Sequence, residues 1–186
     1  MDKEYDYKIR YTLNDDDYYE YNRIHMLTTK AGKKALLNYK LSVPVLTLIL
    51  IGFIAILRFD INLIIIESIA MVIMNAVWIV FSDKIYFRKL KKSFAKMKKD
   101  GNLPYDKRGE LVFGSDGITD ISENSVEKKD YSVIEKIIIT EKTVYLYTSA
   151  INAYIINSDF FKDENEKSDF RDYIISKAIN AQIIKK

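Results

Sequence analysis

Two apolar runs restrict this chain more than anything else in it. Residues 41–57 read LSVPVLTLILIGFIAIL without a charge, and residues 61–82 hold a single one, Glu67. Only Arg58, Phe59 and Asp60 separate them. At ~1.5 Å per residue the first run makes a helix about 26 Å long, close to a ~30 Å hydrocarbon core, and Tyr39 and Lys40 extend it by reaching the headgroups. Both helices are apolar on every side, so a fold in water would have to wrap them completely. The rest of the chain is too charged to do so, since 52 of the 144 residues outside 41–82 are Lys, Arg, Asp or Glu. The short link makes the two helices antiparallel neighbours, and the expectation is a transmembrane hairpin, with Pro44 in its first turn, where a missing N–H costs little. A cleaved leader is not expected, because the first apolar run begins at residue 41 behind a charged segment.

The basic residues orient the hairpin. Residues 21–40 carry five Lys or Arg and no acid, residues 83–99 carry eight against Asp83, and the link has one Arg. Lys and Arg next to a span favour the cytoplasmic side, so a multi-pass plasma-membrane protein with both termini cytoplasmic is expected. The outer segments, 1–20 and 100–186, each sum to −4. An acidic distal part argues against nucleic acid as a partner and against a headgroup-binding pocket there.

Residues 84–99 read KIYFRKLKKSFAKMKK, with Phe87, Leu90, Phe94 and Met97 on one helical face and bases elsewhere. The segment 83–100 is therefore read as a basic amphipathic juxtamembrane helix. Lys84, Arg88, Lys89, Lys91, Lys92 and Lys96 are its candidates for contact with anionic lipid, each worth ~1 kcal/mol near the surface. The competing reading is that these charges only set topology while the apolar face packs on the cytoplasmic domain. Within the membrane, Glu67, Met71, Asn75 and Trp78 share a face. Glu67 and Asn75 are the polar candidates, either for pairing helices (Glu67 with Arg58, Asn75 across the hairpin) or for an ion or transport role.

The N-terminal Tyr5, Tyr7, Ile9 and Tyr11 alternate with charged residues as in a half-buried strand. Asn14 then opens a helix with Asp15, Asp16 and Asp17 in its first turn; capping explains this acid triplet better than calcium, whose loops alternate their ligands and carry a Gly. That helix runs to Ile24–Leu27, breaks near Gly32 and re-forms toward the first span. Beyond Gly101 and Pro104 come short strands: 110–113, a Gly114-Ser115-Asp116-Gly117 turn, 118–121, one around 126–128, then 133–140, 143–147 and 153–156. Asp163 with Glu166 caps a last helix that presents Phe170, Tyr173, Ile174, Ala178 and Ala181 on one face. A curved antiparallel sheet closed by such a helix is the plan of a pleckstrin-homology-like barrel.

The YDYKIRYTL opening, the apolar hairpin, the basic helix, ELVFGSDGI, YSVIEKIIITEKTVYLYTSAINAYIINSDFF and DFRDYI together resemble the bacterial YcxB-like family. The resemblance implies a membrane protein whose C-terminal domain is pleckstrin-homology-like, with no established enzymatic activity and no functional residues to carry over. The expected fold class is an α+β membrane protein. Its parts are an N-terminal strand and helix (1–40), a transmembrane hairpin (41–82, spans 41–57 and 61–82), the basic helix (83–100) and a cytoplasmic domain (101–186).

Chemistry is sparse. The chain has no Cys and one His, His25, read as a surface or packing residue. Gly32-Lys33-Lys34 lacks the upstream Gly and the hydroxyl residue of a phosphate loop, and no GxGxxG, GxSxG or HExxH occurs. No catalytic, cofactor or metal residues are expected. The leading expectation is a non-enzymatic adaptor or scaffold contacting the lipid bilayer and an unidentified protein, with a homo-oligomer left open. The alternative is an accessory or oligomeric subunit of a transporter or channel that uses Glu67 and Asn75.

Overall fold

The computed structural model describes residues 5–57, 61–101, 105, 107–122 and 125–186. The Arg58–Asp60 link, the expected Arg58 contact of Glu67 and Pro104 lie outside the described residues. The fold is α+β, and the chain divides into two units: Met1–Tyr21 with Asn102–Lys186, and Asn22–Gly101. The N-terminal strand thus groups with the C-terminal part of the chain, across the whole apolar segment, rather than with a separate 1–40 region.

In the first unit, strand β1 (Tyr5–Thr12) pairs antiparallel with β2 (Arg108–Gly114), then come β3 (Gly117–Ser122) and β4 (Val126–Lys129), in the order β1-β2-β3-β4. The second sheet, ordered β7-β6-β5-β8, contains β5 (Lys136–Ile139), β6 (Thr143–Tyr147), β7 (Ala153–Asn157) and β8 (Gln182–Lys185). Inward residues of both sheets, including Ile9, Leu111, Phe113, Ile118, Val144, Leu146 and Ile156, form one core with Phe170 and Ile174 of helix α4 (Glu164–Lys177). Alternation explains the membership: Phe113 faces Ile118 and Leu111 faces Asp120 in the β2–β3 register, so every second residue points inward. β6 is buried at all five positions, because Tyr145 and Tyr147 on its other face meet the ring of Tyr21 at 6.0 and 5.9 Å.

Several expectations need correction here. Residues 131–133 form a single 3-10 turn, and the strand expected over 133–140 begins only at Lys136; Asp130 caps that turn by accepting from the Ser132 amide at 2.7 Å. Helix α4 ends at Lys177, so Ala181 is not on it. The chain instead turns back, and β8 pairs parallel with β5, so the second sheet is not wholly antiparallel and the helix is not the last element. The Gln182 amide donates to the Glu135 carbonyl and the Lys186 amide to the Ile139 carbonyl, both at 2.9 Å. Lastly, Pro44 and the helix break before it are placed differently, as the second unit makes clear.

Helix α1 (Asp15–Thr28) starts as expected: the Asn14 side chain accepts from the Asp16 and Asp17 amides, and Asp17 accepts from the Asn14 amide at 2.9 Å. The break falls at Thr29, not Gly32. Thr29 donates to the His25 carbonyl and accepts from the Gly32 amide, serving both helix ends. Gly32 lies inside helix α2 (Lys30–Leu57), where a Cβ would sit 2.5 Å from the Met26 backbone; its role is close approach of two turns, not helix breaking. Because α2 starts at Lys30, Pro44 is in its interior rather than its first turn. Helix α3 (Ile61–Lys99) is continuous through 83–99, so the basic segment is the prolongation of the second apolar helix, not a separate one. Its 39 residues make a rod about 58 Å long.

Both helices are long and apolar enough to cross a membrane, with mean hydropathies of 2.4 and 2.3 over their most apolar stretches. They pack on each other along one stripe each: Val43, Pro44, Thr47, Ile51 and Ile54 of α2, and Ile64, Glu67, Ser68, Met71, Asn75, Trp78 and Ser82 of α3, are the positions shielded. The remaining apolar side chains, among them Leu48, Ile56, Val72 and Val80, are exposed.

Candidate functional site

The inward face of the first sheet does not stay apolar to its end. Ile118 is fully buried, and two residues on along β3 the next inward position is Asp120. Across the ladder, Asp120 faces Leu111 on β2 and Glu127 on β4. It accepts a hydrogen bond from the Tyr11 hydroxyl at 3.3 Å. Tyr11 stands opposite Gly109 in the β1–β2 register, and its ring occupies the space a side chain there would need: a Cβ on Gly109 would lie 2.3 Å from the Tyr11 hydroxyl oxygen.

Around these residues lies a cavity of about 270 Å³. Five tyrosines line it: Tyr11 from β1, Tyr18 and Tyr21 from α1, Tyr105 and Tyr154, with Asp120, Lys129 and the β6–β7 loop residues Thr148, Ile151 and Asn152. Tyr18 stacks on Tyr105 at 4.7 Å. The rings are fixed at their far ends, with the Tyr105 hydroxyl donating to Asp15 at 2.9 Å and the Tyr21 hydroxyl to the Ile151 carbonyl at 2.6 Å. Helix α4 is anchored at the other end of β1 and β2, through ring contacts of Phe170 with Tyr7 and Phe113 and a Tyr173 hydroxyl bonded to Asp6 and the Gly114 carbonyl. One end of the core is thus closed by a helix, and the other opens into the tyrosine-lined cavity.

The protonation states follow from the surroundings. Burial raises Tyr21 to about 12. Burial first, then the hydrogen bond to Asp15, raises Tyr105 to about 12. The Tyr21 and Tyr105 hydroxyls are therefore neutral donors at ordinary pH. Lys129 is held above its ordinary value, chiefly by Glu127, whose carboxylate lies 2.9 Å from it, and its ammonium also sits 5.8 Å from the centre of the Tyr154 ring. The sequence pointed to none of this; the clustering of Tyr18, Tyr19 and Tyr21 was the available signal, and it reads equally as packing.

The residues singled out from the sequence lie elsewhere. Lys84, Arg88, Lys89, Lys91, Lys92 and Lys96 are all exposed on the basic prolongation of α3, while Phe87, Leu90, Phe94 and Met97 are half-buried. Glu67 and Asn75 lie on the stripe of α3 turned toward α2. Asn75 donates to the Thr47 hydroxyl at 2.7 Å, and Thr47 donates to the Pro44 carbonyl at 2.8 Å. Pro44 has no N–H for the Lys40 carbonyl four residues before it; the Trp78 indole N–H serves that carbonyl at 3.0 Å. Lys40 pairs with Asp83 at 3.0 Å, and Tyr39 packs on Trp78 and Tyr86 at 5.4 and 5.1 Å, an aromatic and charged collar of the kind found where helices leave a bilayer. Among the described residues no group of His, Asp and Glu converges as a metal site.

The resemblance to the YcxB-like family is borne out: residues 113–174, from β2 to α4, match the model of the family described as YcxB-like protein. No curated protein and no solved structure matches the chain.

Proposed function

We propose that this protein is a non-enzymatic membrane protein that presents a pleckstrin-homology-like module at the cytoplasmic face of the plasma membrane and binds a protein partner there as an adaptor or scaffold. The observation that carries the reading is the position of the apolar helices between two paired strands. β1 precedes them and β2 follows them, yet β1 and β2 form seven residue pairs from Tyr5–Gly114 to Thr12–Arg108. Two strands in one ladder lie on the same side of a bilayer, and an even number of spans meets that requirement. The excess of Lys and Arg flanking the hairpin makes that side the cytoplasm. A four-stranded meander, a three-stranded meander and a helix closing one end support the pleckstrin-homology-like plan, with β8 as an addition to it.

The Glu67/Asn75 face, the basis of the transporter or channel alternative, is turned toward the partner helix, and Asn75 bonds Thr47 within the same hairpin, which favours helix pairing. Lys84, Arg88 and Lys89 follow the collar directly and are the bases placed to meet anionic headgroups; Lys91, Lys92 and Lys96 stand further along a helix that does not bend at the collar.

The absence of Cys makes single-cysteine labelling clean. In intact cells an impermeant maleimide is expected to label Asn62→Cys and to reach Ser168→Cys, on exposed α4, only after permeabilisation. The chain should also remain in the membrane fraction through alkaline extraction. Labelling of Ser168→Cys in intact cells, or recovery of the full chain in the supernatant, would refute the topology. Cross-linking in native membranes then tests the adaptor role: one reproducible partner protein is expected, and flux through reconstituted protein lost with Glu67→Gln would favour the alternative.

A further inference from the structure

We infer that the basic prolongation of α3 docks an acidic segment of the protein partner along Arg88, Lys92, Lys96 and Lys99. The inference rests on the adaptor reading proposed above and gives it a surface and a chemistry.

Residues 84–99 hold eight bases and no acid. At ~100° per residue, Arg88, Lys92, Lys96 and Lys99 fall within about 80° of the helix circumference and climb ~16 Å along it. All four are exposed, while Phe87, Leu90, Phe94 and Met97 on the opposite side are half-buried, so the row is the outward side of the helix. Among the described residues none of the four side chains makes an ion pair or a hydrogen bond. Like charges one turn apart, Arg88 with Lys92, Lys92 with Lys96 and Lys96 with Lys99, destabilise a helix that carries them uncompensated. A row of carboxylates at the same spacing reverses that repulsion, and such charge ladders set partner choice and register between neighbouring segments.

Two other anions are less well matched. The first is the lipid leaflet. Helix α3 runs unbroken and without Pro from Ile61 to Lys99, and Asp83 belongs to the collar through its bond to Lys40. Lys92, Lys96 and Lys99 therefore stand about 13–24 Å beyond the collar. Attraction to a charged leaflet fades within a Debye length of ~8 Å, so the membrane does not account for these three. The second is nucleic acid, whose single strands are held by aromatic rings set among the bases. Phe87 and Phe94 lie on the other side of the helix, and the unit built on the strands carries 22 Asp and Glu against 15 Lys and Arg, which repels a long polyanion. A short acidic protein segment needs only the row itself.

The test uses the full chain in phosphatidylcholine nanodiscs and reads fluorescence anisotropy. The probes are an alanine-rich helical peptide with four Glu at the spacing of the row, its Gln counterpart, and an oligothymidylate of equal charge. At low salt the Glu peptide is expected to bind saturably and at least about tenfold more tightly than the Gln peptide, the sum of four exposed charge pairs. The combined Lys92→Gln, Lys96→Gln, Lys99→Gln variant should weaken it about fivefold or more. Replacing the exposed Lys142, Lys162 and Lys185 by Gln removes the same charge elsewhere and should leave the midpoint within about twofold. Adding anionic lipid to the nanodisc should leave it within about threefold. Equal midpoints for the Glu and Gln peptides, or equal losses in the two triple variants, would overturn the inference. So would tighter binding of the oligothymidylate, which assigns the row to nucleic acid, or abolition by anionic lipid, which assigns it to the leaflet. The titration requires no knowledge of the native partner, so its failure leaves the labelling and cross-linking results standing, and their failure leaves it readable.

Discussion

The bond between Trp78 and the Lys40 carbonyl yields the sharpest energetic prediction. Pro44 lies inside α2 and cannot donate to the carbonyl four residues earlier, which is left without its helical donor. The indole N–H stands 3.0 Å from that oxygen. Trp78→Phe keeps an aromatic ring at the hairpin stripe and removes the donor. Interhelical hydrogen bonds in membranes average about 0.6 kcal/mol and reach about 1.7; because this acceptor lacks a helical donor, a loss of about 1–1.7 kcal/mol is expected. Pro44→Ala returns an amide N–H to the same carbonyl. In that background Trp78→Phe should cost no more than about 0.5 kcal/mol, which makes the coupling between the two positions about 1 kcal/mol. The four corners of the cycle are measured as unfolding free energies of the full chain in bicelles, by steric trapping or detergent titration. A Trp78→Phe cost that is the same with Pro44 intact and in the Pro44→Ala background, or no cost at all, would refute the argument that the indole substitutes for the missing amide.

Three further outcomes are expected. Gly109→Ala forces a Cβ to 2.3 Å from the Tyr11 hydroxyl and 2.8 Å from the Ile121 carbonyl; overpacking of this kind costs about 1–3 kcal/mol, and an unchanged thermal melt would contradict the geometry. Burial raises Tyr21 and Tyr145 to about 12 from an ordinary value of 10.0, so above pH 10 the unfolded chain loses these protons first. The contribution of these two groups to stability should therefore be constant below about pH 10 and fall from there through pH 12, with a late tyrosinate absorbance step that accompanies loss of structure; titration of Tyr21 and Tyr145 near 10 in the intact fold would contradict it. Ending the chain at Asn180 removes β8 and bares the β5 edge at Ile137, Ile138 and Ile139. Exposed apolar edges pair with other chains, so concentration-dependent association is expected by light scattering, and a monodisperse truncated protein would show that β8 does not protect that edge.

Much of this architecture was legible because it depends on local pattern. Uncharged runs longer than a dozen residues, two-residue alternation, and Asn14 and Asp163 ahead of acidic first turns are read over a few neighbours, and the structure carries each of them. The errors share a cause. Gly32 and Pro44 are breakers by local rule, but each is held by a contact that local rules do not include: Gly32 by the approach of Met26, and Pro44 by Trp78, thirty-four positions away in sequence. The strand β8 was hidden for the same reason, since QIIK is too short to announce itself and exists only because β5 has a free edge.

Composition and hydropathy order alone determine that residues 41–82 need an apolar surrounding, that their flanks are basic and that the outer segments are acidic, because transfer free energy and charge add along a chain without regard to its path. Which residues meet is a different kind of information. That β1 closes a ladder with β2 across the whole apolar insertion, and that five tyrosines and an inward carboxylate share one cavity, follows from strand register and side-chain packing between positions up to 143 residues apart (Tyr11 and Tyr154). Those contacts are made only once the chain has paid the entropy of bringing them together, so only the tertiary structure decides them.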